Sequence, residues 1–262
     1  MPDNSQLDKT KKIKLAIHQP NFYPRLKVLQ KLAYADVWCI LDSVQYCTRE
    51  WQNRTCIIPM HGNRGPFWLS IPVNRPNGRS TLIKDVSIIN PISTTSLIER
   101  TLHHAFHRAP YWSFIKHIIR ENKDVMAANN LTDMCVETTN TLLNLIDRRP
   151  TLIFASTLDV RGKASNLMAA ICKHLNATTY LADSGSKNYL VASDFTDIEV
   201  VWQNWEEPIE SWPEIKSWRN LSSVNYLCRE GPEKFANHLI RDNFTPDLVW
   251  SKPKLNTYSK SR

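Results

Sequence analysis

Three short stretches of the chain gather side chains able to do polar chemistry. The first is His18, Gln19 and Pro20. Histidine titrates near neutrality and is the commonest general base, so a His at a strand end is a candidate catalyst. The second begins with Asp42, Gln45 and Tyr46 and continues through Arg49, Trp51, Gln52, Asn53 and Arg54. A solvated loop rarely holds Tyr, Trp, several amides and two Arg together, and Arg is the residue suited to bidentate phosphate recognition. The third is Asp183, Ser184, Gly185, Ser186, Lys187, Asn188 and Tyr189. Successive backbone N–H groups with Lys187 can cradle an anion there. The stretch lacks P-loop spacing, and taken alone it reads as an ordinary strand-to-helix turn. His103 and His107 stand one helical turn apart, a spacing that can bind metal, but no Glu and no third ligand accompany them. They read as a polar helix face, and no metal site is expected.

Each of the three stretches follows an apolar run. Residues 14–19, KLAIHQ, read as a buried strand, 20–24 as a loop, 25–35 as an amphipathic helix and 37–41, VWCIL, as a second strand. That is a βαβ unit, which implies a parallel sheet with a right-handed crossover. It sets His18, Gln19 and Asp42 at the carboxyl ends of neighbouring strands, the edge where open α/β sheets bind ligands. Further strands are expected at 151–155, 178–182 and 198–203, and helices within 94–148, 163–176 and 222–240. Residues 43–90 carry Gly/Pro/Asn turns between strand candidates at 57–60, 67–73 and 85–89. The expected fold is α/β: a mostly parallel, Rossmann-like central sheet flanked by helices, with an antiparallel basic β insertion at 43–90. Residues 1–12 read as a flexible basic arm, 13–245 as one α/β domain and 246–262 as a basic tail.

The chain has 262 residues, with 33 Lys+Arg against 25 Asp+Glu and a net charge of +8. A hydrophobic fraction of 42% and nine Trp exclude a disordered chain. A mean hydropathy of −0.39 and the lack of a long apolar run exclude a membrane-spanning helix. The first residues hold no apolar signal region, so a cytoplasmic setting and no membrane partner are expected. Six Cys without metal or disulfide spacing read as reduced thiols. The positive charge is concentrated: residues 46–84 hold Arg49, Arg54, Arg64, Arg75, Arg79 and Lys84 against one acid, Glu50. By contrast, 194–214 holds seven acids and no Lys or Arg. This is an electrostatic footprint for phosphates. Tyr46 and Trp51 are candidates to stack on bases, and Arg64, Arg75 and Arg79 to meet backbone phosphates from outward turns.

Together these stretches resemble the WbqC-like family. The resemblance is carried by IHQPNFYPRLKVLQKLAYADVWCILDSVQY, REWQNR, WLSIPV, HHAFHRAPYW and KASNLMAAICKHLNATTYLADSGSKNYL, and it runs from about residue 13 to about residue 235. The turn ADSGSKNYL departs from a more glycine-rich form. The resemblance implies one of two settings. Bacterial members are associated with O-antigen and other surface polysaccharides, acting on activated or amino sugars. Bacteriophage members look like amino acid:DNA transferases of thymine hypermodification, working in the host cytoplasm. There the amine of an amino acid such as glycine displaces pyrophosphate from a pyrophosphoryloxymethyl-uracil in DNA. Extended positive surface favours the second setting, because duplex DNA presents a phosphate every ~1.7 Å of axis. In that chemistry His18 or Asp42 is the expected general base. Gln19, Gln45 and Asn53 would bond the base edge or the amino-acid carboxylate. Arg49, Arg54, Ser184, Lys187 and Tyr189 would hold the substrate and its leaving pyrophosphate. No cofactor is expected beyond Mg²⁺ accompanying pyrophosphate. Nucleotidyltransferase-type domains place His on phosphates at the same point, which gives His18 a second candidate role. A non-catalytic DNA-binding module would need no polar convergence at buried strand ends.

Overall fold

The computed structural model describes residues 12–61, 65–121, 129–208, 215 and 218–246. Most of the expected basic arm, Arg64 and the basic tail after 246 lie outside the described residues. In chain order the elements begin with β1 (Lys14–His18), α1 (Leu26–Ala33) and β2 (Val37–Ile40). The insertion follows, with β3 (Arg54–Ile57), β4 (Phe67–Ser70), β5 (Val73–Asn74), β6 (Ser87–Ile88), α2 (Pro91–Phe106), α3 (Trp112–Glu121) and α4 (Leu131–Asn144). The chain returns to the sheet through β7 (Thr151–Phe154), α5 (Ala164–His174), β8 (Thr179–Ala182) and β9 (Glu199–Gln203), and closes with α6 (Ser223–Leu239) and β10 (Phe244–Pro246).

The central sheet has six strands in the order β10-β9-β8-β1-β2-β7. All neighbours run parallel except the edge strand β10, which is antiparallel to β9. The fold is therefore α/β, with a mostly parallel sheet and small antiparallel sheets beside it. Winding proceeds from β1 through β2 to β7 in one direction, then resumes on the other side of β1 with β8 and β9. The carboxyl ends of β1 and β8 thus flank the point where strand order reverses, the crevice in which open α/β sheets place ligands.

The strands are apolar because both sheet faces are covered. Leu15, Ile17, Val37 and Cys39 pack on one face with Ile171 and Cys172 of α5. Ala16, Trp38 and Ile40 pack on the other with Leu29 and Leu32 of α1. The latter core continues through Ile57, Leu69 and Ile71 into the helices of the insertion, so the insertion shares its core with α1. All six cysteines are free thiols, and only Cys47 is exposed.

Several boundaries differ from expectation for physical reasons. The strand expected at 57–60 lies at Arg54–Ile57, pairing Arg54 with Ser70 and Ile57 with Phe67. Pro59 has no N–H to offer a ladder, so pairing stops before it. The single stretch expected at 67–73 splits before Pro72, and the insertion forms two two-stranded sheets, β3-β4 and β5-β6. The helical region expected at 94–148 resolves into α2, α3 and α4, with α2 ending just before His107-Arg108-Ala109-Pro110. Asn130 caps α4 by accepting from the N–H groups of Thr132 and Asp133. In α6 the chain kinks at Gly231, where φ is 81°, followed by Pro232.

Candidate active site at the switch point of the sheet

A polar cavity of about 270 Å³ opens at the carboxyl ends of β1 and β8. The loop after β1 supplies His18, Gln19 and Asn21, and the head of α1 supplies Arg25. The insertion supplies Glu50, Trp51 and Gln52, and the turn after β8 supplies Asp183, Ser186 and Tyr189. Three separate chain segments therefore meet there because the sheet reverses its winding between β1 and β8.

Beneath the cavity lies Lys31 of α1, only 1% exposed. Its ammonium stands 2.6 Å from Asp183 Oδ2, 3.0 Å from His18 Nδ1 and 3.4 Å from the Ile17 carbonyl. Lys27, one helical turn earlier, stands 3.9 Å from Asp183 Oδ1 and donates to Ser184 Oγ at 3.2 Å. Burial by itself raises the Asp183 carboxyl, yet Lys31, His18 and Lys27 together hold it well below the usual carboxylate range. The His18 ring is pushed down to about 3, by burial first and then by Lys31, with Asp183 opposing. Such a ring is neutral at pH 7 and is not a base poised near neutrality. Burial lowers Arg25 and Lys27, while Asp183 works to keep both charged.

The wall facing these cations is aromatic. The Arg25 guanidinium lies 4.2 Å over the Trp51 ring, Trp51 leans on Trp68 at 4.9 Å, and Arg54 covers Trp68 at 3.9 Å. Two indoles in contact thus lie between two planar cations, Arg25 at the cavity and Arg54 beyond. Gln52 Nε2 donates to Gln19 Oε1 at 2.5 Å, which ties the insertion to the β1 loop. Gln52 Oε1, in a side chain 1% exposed, has no partner among the described residues.

Of the residues expected from sequence, His18, Gln19, Trp51 and Tyr189 line the cavity, and Ser184 follows the lining residue Asp183 in the chain and accepts from Lys27. The others lie elsewhere. Asp42 is buried and accepts from the Ser156 N–H at 2.8 Å and the Ser156 hydroxyl at 2.6 Å, capping the turn Ala155–Thr157 that follows β7. It is not a lining residue of the cavity, and the partners of His18 are instead Lys31, Asn21 and Asp183. Gln45 Nε2 donates to the Arg79 carbonyl at 2.5 Å, away from the cavity. Tyr46 is 5% exposed and packs in the core, so it offers no ring for stacking. Arg49 is exposed with φ of 72°, and its carbonyl accepts from the Arg54 guanidinium. Arg54 also donates to the Glu50 carbonyl at 3.2 Å, and Asn53 Nδ2 to the Ile71 carbonyl at 2.9 Å. These side chains hold the loop's own shape. Lys187 lies 5.0 Å over the Trp202 ring. Arg75 and Arg79 are exposed in the turn around Gly78, and Arg64 lies outside the described residues.

Arg25, Lys31 and the role of Asp183 were not assigned from sequence. A signal existed for Lys31: it sits among Leu29, Leu32 and Ala33, all buried, in a helix too short to spare a turn. The His103 and His107 rings stand 5.4 Å apart. Among the described residues no group of three or more His, Cys, Asp or Glu is placed to hold a metal ion, and no helix is long and apolar enough to cross a membrane.

Comparison with known proteins places this geometry in context. The model of the WbqC-like protein family matches residues 19–237, which include every lining residue after His18. The uncharacterized protein Rv1507c of Mycobacterium tuberculosis is 23% identical over 207 residues, covering 74% of this chain and 83% of that protein. No solved structure matches.

Proposed function

Since the chain belongs to the WbqC-like protein family, we propose that it is a transferase whose switch-point cavity holds the phosphate-bearing part of an activated substrate. The observation that carries this reading is the meeting of Arg25 and His18 in one small polar cavity at the ligand-binding edge of the sheet, with Lys27 and Lys31 behind the wall, paired to the lining residue Asp183. A departing polyphosphate needs fixed positive charge more than it needs proton transfer, and preorganised charge is usually the largest contribution to such catalysis.

The finer reading is transfer of an amino acid, glycine in the simplest case, to a pyrophosphoryloxymethyl-uracil in double-stranded DNA. The bond between the C5-methylene carbon and the pyrophosphate oxygen breaks, and its electron pair leaves with pyrophosphate. The lone pair of the amine forms the new C–N bond. One proton then leaves the nitrogen, to water or to the Glu50 carboxylate at the cavity wall. Arg25 in the cavity lining holds the leaving anion, which Mg²⁺ would accompany as counter-ion. Gln52 Oε1, a buried acceptor without a partner among the described residues, suits an N–H of the incoming amine. A net charge of +8 and the exposed Arg75 and Arg79 support DNA as the carrier of the activated base.

The test is mass spectrometry of nucleosides released from pyrophosphoryloxymethyl-uracil DNA after incubation with the protein and ¹⁵N-glycine. A glycine-modified thymine is the expected product, lost in Arg25→Ala. No product from DNA, with turnover of a nucleotide-activated sugar in a parallel reaction, would replace this reading with the polysaccharide one.

A further inference from the structure

Lys31 has an uncommon surrounding for a lysine. It is 1% exposed, and its ammonium meets three polar atoms: Asp183 Oδ2, His18 Nδ1 and the Ile17 carbonyl oxygen. An ammonium carries three donors and no acceptor, so each of its hydrogens is used. The shortest of the three contacts is the charge-assisted one to the Asp183 carboxylate, at 2.6 Å. The nitrogen of His18 that faces this cation at 3.0 Å must therefore present its lone pair. The ring hydrogen then sits on Nε2, which faces Asn21 Oδ1 at a loose 3.4 Å. His18 lines the cavity, and its side chain is 17% exposed.

We propose that Lys31 is a positioning residue that holds His18 as the neutral Nε2–H tautomer, making His18 a hydrogen-bond donor to a phosphate oxygen of the substrate and not an acceptor of the amine proton. The proposal rests on the reading of the cavity as the pocket for the substrate's phosphate. On binding, Nε2–H exchanges a long bond to a neutral amide for a charge-assisted one to an oxyanion. No proton is transferred at His18, so no ring titration is required of it during the reaction. The charged groups around the ring agree. Burial, Lys31 of α1 and Arg25 at the N-cap of α1 disfavour an imidazolium; Asp183, from the turn after β8, favours it; Asn21, from the ring's own loop, accepts from Nε2.

The decisive measurement is the ¹⁵N spectrum of the histidine rings in the intact protein from pH 5 to pH 8. The eight histidines are sorted by the signal that His18→Gln removes. Through that range His18 is expected to show a protonated Nε2 and an unprotonated Nδ1, and inorganic pyrophosphate should move the Nε2–H resonance. Because Lys31→Met alone strands the Asp183 carboxylate, the companion variant is Lys31→Met with Asp183→Asn, which removes both charges. There the ring should mix tautomers and titrate closer to ~6.5, and pyrophosphate should bind at least ~10-fold more weakly. A wild-type ring protonated on Nδ1, or titrating between pH 6 and 7, overturns the proposal, as does an identical ring pattern in the double variant. If pyrophosphate shifts the ring but no transfer to DNA occurs, the donor role stands and the reaction assigned above fails. If pyrophosphate leaves the ring unmoved, the phosphate pocket itself is wrong, and this proposal with it.

Discussion

His18 and His238 are pushed down to about 3 and about 4, His18 by burial and Lys31 and His238 by burial and Arg241. In the unfolded chain each titrates near ~6.5. Between that value and the folded one, the unfolded chain binds a proton that the folded protein refuses, so stability falls as pH drops from about 7 towards 4. The urea midpoint should decline over this range, and His18→Gln or His238→Gln should each flatten the decline. Parallel curves for wild type and both variants would mean that these rings titrate alike in the folded and unfolded chain. Asp42 invites a different experiment. Its carboxylate is engaged by the backbone and hydroxyl of Ser156, so its work is to cap the turn after β7. Ser156→Ala should cost about 1 kcal/mol of stability and leave kcat and its pH profile unchanged. A changed pH profile would return Asp42 to the chemistry.

Much of the architecture is legible in short-range pattern, and the exceptions have identifiable causes. The βαβ unit reads correctly because strands buried on both faces are continuous apolar runs, while α1 keeps a helical period. Strand β3 reads three residues late because the apolar run continues through Pro59, which cannot join a ladder. The site is harder to read. His18 and Asp42 follow strands of the same kind, yet His18 meets Lys31 of the helix that follows it, whereas Asp42 meets Ser156, far away in sequence. Lys31 and Asp183 are likewise remote from each other, and only the reversal of winding at β1 brings them together. No local spacing reports such a pair. The kink in α6 is a local feature with a sharp test. At Gly231 φ is 81°, and a Cβ there would approach the Tyr111 ring to 2.5 Å. Gly231→Ala is therefore expected to lower stability by roughly 1–3 kcal/mol, read from the thermal midpoint. Tyr111→Ala in the same chain should recover the steric share and leave the backbone strain.

The charge of the whole molecule makes its own prediction. Arg75 and Arg79 are exposed in the turn around Gly78, while Arg25 lies in the cavity. If duplex DNA is the substrate, Arg75→Ala and Arg79→Ala should each reduce the salt slope of DNA binding by about 0.9 and leave single-turnover chemistry at saturating DNA unaltered. Arg25→Ala should slow the chemistry more than it weakens binding. Salt slopes that ignore both turn arginines would detach this surface from DNA. The strand order also imposes a schedule on synthesis. β2 ends at Ile40, but its neighbour β7 begins only at Thr151, and β8, which covers the other side of β1, begins at Thr179. On the ribosome, at roughly 5–20 residues per second, the β1–β2 pair waits many seconds with both edges open while the insertion is made. Open parallel edges recruit other chains. A message truncated before β8 would therefore yield not a smaller working protein but an adhesive one, whose fate depends on how quickly the cell's chaperones and proteases reach it.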